Sequence, residues 1–377
     1  MKTYIILLIT LVLISCKDEK KVKKEIVEIN KVSEFYVGTY TDKDSKGIYK
    51  YSLGSNGILT KIGLAAVSEN PSFLALSPDK KYVLAVNEVN KDNVGFVESF
   101  EIENDSLKLI NKSSSGGANP CHIIINTNGY VLTSNYSGGN VGLLKLDTNG
   151  KISNILNVQQ HLGKGTTERQ EAPHAHSAWF DKDDANKVIA IDLGTNELWF
   201  SEINTETNKL INNKPSKLAM AEGAGPRHLV FHPNKKIIYV LNELDNTITT
   251  VLKSENQEYS KKTTVSILPD NFTGFSKAAD IRISNDGNFV YASNRGHNSI
   301  AILKVDSNDY SLSLVGLEST KGENPRNFSL SPDNKYLIVA NQDTNNLVSF
   351  KRDVKTGLLT FKSEIKAPTP VCILFNE

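Results

Sequence analysis

Residues 226–243 read PRHLVFHPNKKIIYVLNE. A proline and an arginine lead into an apolar run, His228 to Phe231. His232-Pro233-Asn234-Lys235 is turn chemistry. Ile237 to Leu241 is a second run, rich in β-branched and aromatic residues, and Asn242 ends it. Two short apolar runs around a turn cluster predict two strands of a hairpin. Working outward, Asp245-Asn246 turns the chain again, Thr247 to Leu252 predicts a third strand, and a fourth is expected within 263–268.

The pattern recurs along the chain. It appears as PSFLALSPDKKYVLAVNE (71–88), PCHIIINTNGYVLTSNY (120–136), HAHSAWFDKDDANKVIAIDL (174–193), ADIRISNDGNFVYASNR (279–295) and PRNFSLSPDNKYLIVANQ (325–342), with a stub, PVCILFNE, at 370–377. Aligned, Phe73, His122, His176, His228, Asp280, Asn327 and Cys372 share one column, at spacings of 49, 54, 52, 52, 47 and 45 residues. A period near fifty built from short strands is that of a propeller blade. The expected fold is therefore all-β: a seven-bladed propeller with four-stranded blades. Phe35 to Tyr40 aligns with a second strand, whereas the C-terminal stub aligns with a first strand that has no successor. The two ends are expected to complete one blade between them, which closes the ring and removes an exposed edge.

Antiparallel strands fix the geography. The starts of the first strands, the ends of the second strands and the links between blades all fall on one rim. First-strand starts bring His122, His176, Arg227, His228, Asp280 and Arg326 there, with Arg282 two residues further in. Second-strand ends bring Glu88, Tyr136, Glu243, Arg295 and Gln342. The long links 163–172 and 269–278 are expected to overhang the same rim, the usual place for functional loops on a rigid scaffold. The Asn or Asp before each of these second-strand ends recurs around the ring, so it reads as a structural cap on the following turn. His161, His232 and His297 fall in loops or turns and carry no expected role.

Composition narrows the class. Among 377 residues, 39% are apolar and 23% charged, and the net charge is +1, which suits a soluble body and gives no basic surface for nucleic acid. Ile5 to Ile14 is too short to span a bilayer, which needs about 20 residues. It suits the apolar core of an export signal. Leu13-Ile14-Ser15-Cys16 is similar to a bacterial lipobox, so 1–16 reads as a lipoprotein signal. Cys16 is then the lipidation site and membrane attachment. The charged stretch 17–33 reads as a tether and 34–377 as the propeller. Lys17-Asp18-Glu19 is similar to a surface-export tag. Cys121 and Cys372 lie on non-neighbouring blades, too far apart for a disulfide.

Arginine forks at 227, 295 and 326 suit carboxylate or phosphate oxygens. The imidazoles and Glu243 beside them can move a proton near neutral pH. No serine elbow, zinc-protease, phosphate-loop or dinucleotide motif is present, so neither a covalent serine nor a nucleotide cofactor is expected. The residues alone point to an anionic small molecule undergoing proton-transfer chemistry.

YVGTYT (36–41), NPSFLALSPDKKYVLAVNE (70–88), GANPCHI (117–123), PHAHS (173–177), GAGPRHLVFHP (223–233), YVLNEL (239–244), SNRGHNSIA (293–301) and ENPRNFSLSPDNKYLIVANQDTNNL (323–347) resemble the lactonase family of seven-bladed propellers. That family includes propeller-type 6-phosphogluconolactonases and fungal carboxy-muconate cyclases. The resemblance implies lactone chemistry with no known metal or cofactor requirement. It implies a catalytic set of His176, Arg227, Glu243 and Arg295, with His174 as alternate for the first. His122, His228, Arg282 and Arg326 are then substrate-binding candidates. The resemblance implies hydrolysis of 6-phosphoglucono-1,5-lactone, a cytosolic metabolite; because the leader points outward, either the substrate is another sugar or uronic lactone outside the cytoplasm or the family name overstates the activity. A cyclase acting on an unsaturated diacid, or a propeller that binds glycans without catalysis, would use the same rim.

Overall fold

The computed structural model describes residues 32–377. The expected signal, Cys16 and residues 17–31 of the tether lie outside the described residues. Ser33, assigned to the tether from sequence, instead opens the strand Ser33–Thr39.

Seven four-stranded antiparallel sheets form the blades. They are numbered here by their first, innermost strands: Leu74–Leu76, Pro120–Ile125, Ala175–Phe180, Pro226–Phe231, Lys277–Ile283, Pro325–Leu330 and Pro370–Phe375. In blade 4 the second strand is Ile237–Asn242, the third Thr247–Lys253 and the outer Tyr259–Ser266. The outer strand starts earlier than the sequence suggested. Blade 7 is completed by Ser33–Thr39, which pairs with Pro370–Phe375 in the register Phe35↔Phe375, Tyr36↔Leu374 and Val37↔Ile373.

Each first hairpin is set by a local clasp. In SPDKKY, Ser77 Oγ lies 2.7 Å from Asp79 Oδ1 and accepts from Tyr82 N at 2.9 Å. SPDNKY repeats this with Ser331, Asp333 and Tyr336 at 2.7 and 2.9 Å. A short hydroxyl or carboxylate that satisfies turn amides makes the turn without help from tertiary packing.

Alternation along the second strands then serves two neighbours at once. Ile238 and Val240 pack against blade 3, whereas Tyr239 and Leu241 pack against blade 5. Seven apolar clusters result, one at each blade interface; the seventh joins Phe35, Val37 and Tyr51 to Tyr336, Ile338 and Leu347. Tyrosine hydroxyls on the second strands add a reach to the next blade: Tyr82 to Thr148 O, Tyr239 to Tyr310 O, Tyr291 to Gly357 O and Tyr336 to Ser55 O.

The recurrent Asn is more than a turn cap. Asn87, Asn135, Asn294 and Asn341 each donate Nδ2 to a backbone carbonyl of the link arriving from the preceding blade, Glu69, Ser115, Ile267 and Thr320 respectively, at 2.8 to 3.0 Å. In blade 3 the residue is Asp192, which cannot donate. The link supplies a donor instead: His161 Nδ1 lies 2.7 Å from Asp192 Oδ2, and its ring stacks on Trp199. His161, given no role from sequence, is thus a fully buried part of this latch. Asn242 differs among these residues in donating only within its own blade, to Thr247 and Thr249, among the described residues.

Candidate functional site

The first strands carry a β-bulge near their starts. In blade 4 Pro226 faces Asn242 and His228 faces Leu241, so Arg227 is the extra residue. The same count leaves Cys121 extra in blade 2, His176 in blade 3 and Arg326 in blade 6. A bulge breaks strict alternation and re-aims one side chain. Four side chains in or around the mouth therefore come from the same irregularity. This corrects the sequence column by one residue in blade 3: Ser177, not His176, shares the register of His122, His228 and Asn327. PHAHS carries two histidines around the bulge, and spacing could not distinguish them.

Glu243, at the end of the second strand of blade 4, is the hub. Its Oε2 receives Arg227 Nε and Arg295 Nη2, each at 2.9 Å, and its Oε1 lies 3.5 Å from Arg169 Nη2. Arg169 reaches in from the link 163–172 and also donates to Tyr136 Oη at 2.8 Å. Burial raises the Glu243 carboxyl, but Arg295, Arg227, Arg169 and Arg326 outweigh it and hold it at about 2. Burial and Arg295 lower Arg227 to about 10, which keeps it charged at neutral pH.

Across the axis Glu88 lies 3.9 Å from Arg326 Nη2 and accepts from Tyr40 Oη at 2.8 Å. The Arg326 guanidinium sits 5.3 Å from the Tyr40 ring centre. Tyr40 follows the N-terminal strand, so this half of the site is assembled by ring closure. A depression between the two halves is lined by Glu88, Cys121, Arg227, His228, Arg326 and Asn327, among others.

Beneath the arginines lies a layer of imidazoles. His228 Nδ1 is 3.0 Å from Asp280 Oδ1, and its Nε2 is 3.3 Å from Arg227 Nη1. With Asp280 ionised, Nδ1 carries the proton and Nε2 accepts from arginine. Asp280 is held in turn by the Arg282 fork and by Asn327 Nδ2 at 2.7 Å. Burial and then Arg227 lower His228 to about 4, although Asp280 opposes them. Burial, with Arg227 and His228 adding to it, drives His176 well below the ordinary imidazole range. His176 Nδ1 faces Cys121 Sγ at 3.8 Å, and among the described residues nothing bonds its Nε2. Burial and the Glu88 carboxylate raise the Cys121 thiol, which leaves it protonated. Cys121 and Cys372 are both free.

The sequence candidates thus separate into groups. Arg227, Glu243 and Arg295 meet directly. His176 stands beside them, its ring 5.3 Å from that of His228. Arg326 faces them with Glu88. His122 lies deeper, packed on Phe73 and Trp179. Arg282 is engaged with Asp280. His174 sits outward, stacked on Tyr136 and 3.2 Å from Glu171. Sequence reasoning missed Arg169, Tyr40 and the relay role of Asp280. The motif YVGTYT contained Tyr40, and the overhang of 163–172 contained Arg169, but neither link has a repeat register that would aim a side chain. Among the described residues no group of His, Cys, Asp and Glu is arranged to hold a metal.

The family model described as lactonase, 7-bladed beta-propeller, matches residues 34–375. The chain belongs to this lactonase family. It is 36% identical over 346 residues to a 6-phosphogluconolactonase of Bacillus subtilis, covering 90% of this chain and 97% of the relative. A 6-phosphogluconolactonase of Formosa agariphila is likewise 36% identical, over 342 residues, covering 86% and 94%. Among solved structures, a putative 6-phosphogluconolactonase of Bacteroides fragilis aligns with a TM-score of 0.85 at 35% identity, covering 91% and 98%. A periplasmic gluconolactonase of Pseudomonas aeruginosa aligns at 0.87 and 27% identity, covering 92% and 99%. The family and the relatives named as lactonases support a hydrolase-type activity in general for this propeller.

Proposed function

We propose that the protein hydrolyses an anionic sugar lactone at this mouth, as a 6-phosphogluconolactonase-like enzyme. The substrate is 6-phosphoglucono-1,5-lactone or a related sugar or uronic lactone met outside the cytoplasm. One observation supports this above the rest: three arginines converge on a single carboxylate, beside an imidazole, His176, whose Nε2 makes no bond among the described residues. Water adds to the lactone carbonyl carbon, the ring C–O bond breaks, and the acid and a hydroxyl result. His176 Nε2 takes the proton of the attacking water and returns it to the leaving ring oxygen. Glu243 has both oxygens paired with arginines, Oε2 with Arg227 and Arg295 and Oε1 with Arg169, whereas His176 Nε2 makes no bond among the described residues. The role of Glu243 is to space Arg227 and Arg295, which meet the developing oxyanion and the substrate's anionic group.

His176→Asn is expected to lower kcat by about 10²–10⁴-fold, the usual share of a general base. Glu243→Gln and Arg227→Ala are expected to raise KM more than they lower kcat. Full activity in both His176→Asn and Glu243→Gln would place the chemistry elsewhere. A substrate panel containing lactones and an unsaturated diacid separates hydrolase from cyclase. A wild type that opens no lactone but binds anionic sugars is a binding propeller instead.

The likeness to a periplasmic gluconolactonase supports a location outside the cytoplasm, with the lipobox at Cys16 as the attachment. Cys16→Ser is expected to move the protein from the membrane to the soluble fraction, and unchanged membrane association would refute the anchor.

A further inference from the structure

A second hollow opens on the far side of Arg295, between blades 5 and 6. Phe275 lines it from the link entering blade 5, Lys277 from the start of that blade's first strand, Asn298 from the turn after Arg295 and Asn324 from the link entering blade 6, with Arg295, Glu323 and Asp343 completing the lining. Its volume is about 360 Å³, against about 10 Å³ for the axial depression. Small-molecule sites run from roughly 300 to 1,000 Å³. The axial depression alone is below that range, and the hollow beside Arg295 is within it.

The lining is chemically unusual for this surface. Phe275 is 74% exposed. Its place is nonetheless fixed, because its carbonyl packs on Gly296, where φ is +107° and a Cβ would stand 2.2 Å from Phe275 O. Asn298 Oδ1 is used by the amides of Gly296 and Asn324, at 3.1 and 3.0 Å, which leaves its Nδ2 to donate. The Asn324 side chain, Glu323 and Asp343 make no side-chain bond among the described residues, and Lys277 only covers the Phe275 ring at 5.1 Å. An aromatic face, two amides, and two carboxylates balanced by Lys277 and Arg295 form a surface for a hydroxyl-rich, uncharged group. Lys277 and Arg295 balance Glu323 and Asp343 across the hollow, so its lining carries no net charge and gives an anionic group no preference there.

We propose that the preferred substrate is a sugar lactone extended by a second, uncharged sugar unit, which lies on Phe275 between Asn298 and Asn324 while the lactone ring sits at Glu243 and its arginines. The proposal rests on the lactonase reading and names its substrate class. The test uses the full chain with glucono-1,5-lactone and the 1,5-lactones of O4- and O6-linked disaccharide aldonic acids, each corrected for spontaneous opening. At least one disaccharide lactone is expected to exceed the monosaccharide lactone by about tenfold in kcat/KM. Phe275→Ala is expected to reduce that ratio by about tenfold. Asn324→Gly, which keeps the left-handed backbone of that position (φ 57°), is expected to do the same. Equal kcat/KM for the two lactone classes, or a ratio unmoved by both variants, overturns the subsite while leaving the lactonase reading intact. If no lactone is opened at all, the lactonase reading fails and the subsite fails with it.

Discussion

At the scale of residues, burial sets the chemistry of the mouth. His228 titrates near 4 in the folded protein because burial and Arg227 oppose its charged form. In the unfolded chain an imidazole titrates near 6.5. Between those values the unfolded state binds the proton and the folded state does not. Folding stability is therefore highest above about 6.5 and falls as pH drops toward 4. Each pKa unit is about 1.4 kcal/mol, so this one group contributes a loss of roughly 3 kcal/mol. His122 and His176 are shifted in the same direction and add to it. Urea midpoints measured from pH 7 to pH 4.5 are expected to fall steeply for the wild type and less steeply for His228→Gln. A variant with the wild-type slope would show that His228 does not titrate this way. Individual residue identities were well exposed in the sequence, since Arg227, Glu243 and Arg295 stood at strand ends where a propeller must gather them. Their protonation was not exposed, because it follows from which arginine forks reach which oxygen.

At the scale of elements, two irregularities build the site: the bulge in the first strands and the links that overhang the rim. The bulge aims Cys121, His176, Arg227 and Arg326 while the neighbouring His122, His228 and Asn327 keep the ladder register. No sequence period announces a bulge, and this is why the histidine of blade 3 fell one place out of register. The link 163–172 matters through Arg169, which clips Tyr136 to Glu243. Its side chain is 42% exposed, so its pairing is weak by itself. Arg169→Ala is accordingly expected to leave the melting temperature within about a degree. It is also expected to raise KM for an anionic lactone several-fold, because one of the site's positive charges is gone. A large loss of stability with unchanged KM would recast the link as a structural strap. The strands themselves were legible from alternation and turn residues. The short first strand of blade 1, Leu74–Leu76, shows where that signal thins.

At the scale of the whole molecule, seven equivalent interfaces share the load, and the ring holds only if all are closed. Blade 7 has its first strand from the C-terminus and its other three from the N-terminus. Removing residues 369–377 is expected to expose the edge of Ser33–Thr39 and strip Ile373 and Phe375 from the cluster shared with blade 6. It also removes the Ile373 amide that donates to Asn327 Oδ1 at 2.8 Å. The truncated chain should lose its single cooperative transition in a thermal melt. A sharp melt at the wild-type temperature would disprove the closure. This joint was readable from the stub without a successor. Its effect on the site was not, since Tyr40 meets Glu88 and Arg326 only after the ends have joined.

That joint also bears on when the protein can become itself. Phe35 must wait for Phe375, 340 residues later in the chain. Contacts so distant in sequence form late, because the intervening loop must close first. Blades 1 to 6 can assemble as they emerge from the ribosome, but the last staple waits for Pro370–Phe375. Until then the ring is an open arc, and Tyr40 has no fixed place over the mouth. The nascent chain is thus held short of both its full stability and its finished site until Phe375 has emerged and met Phe35.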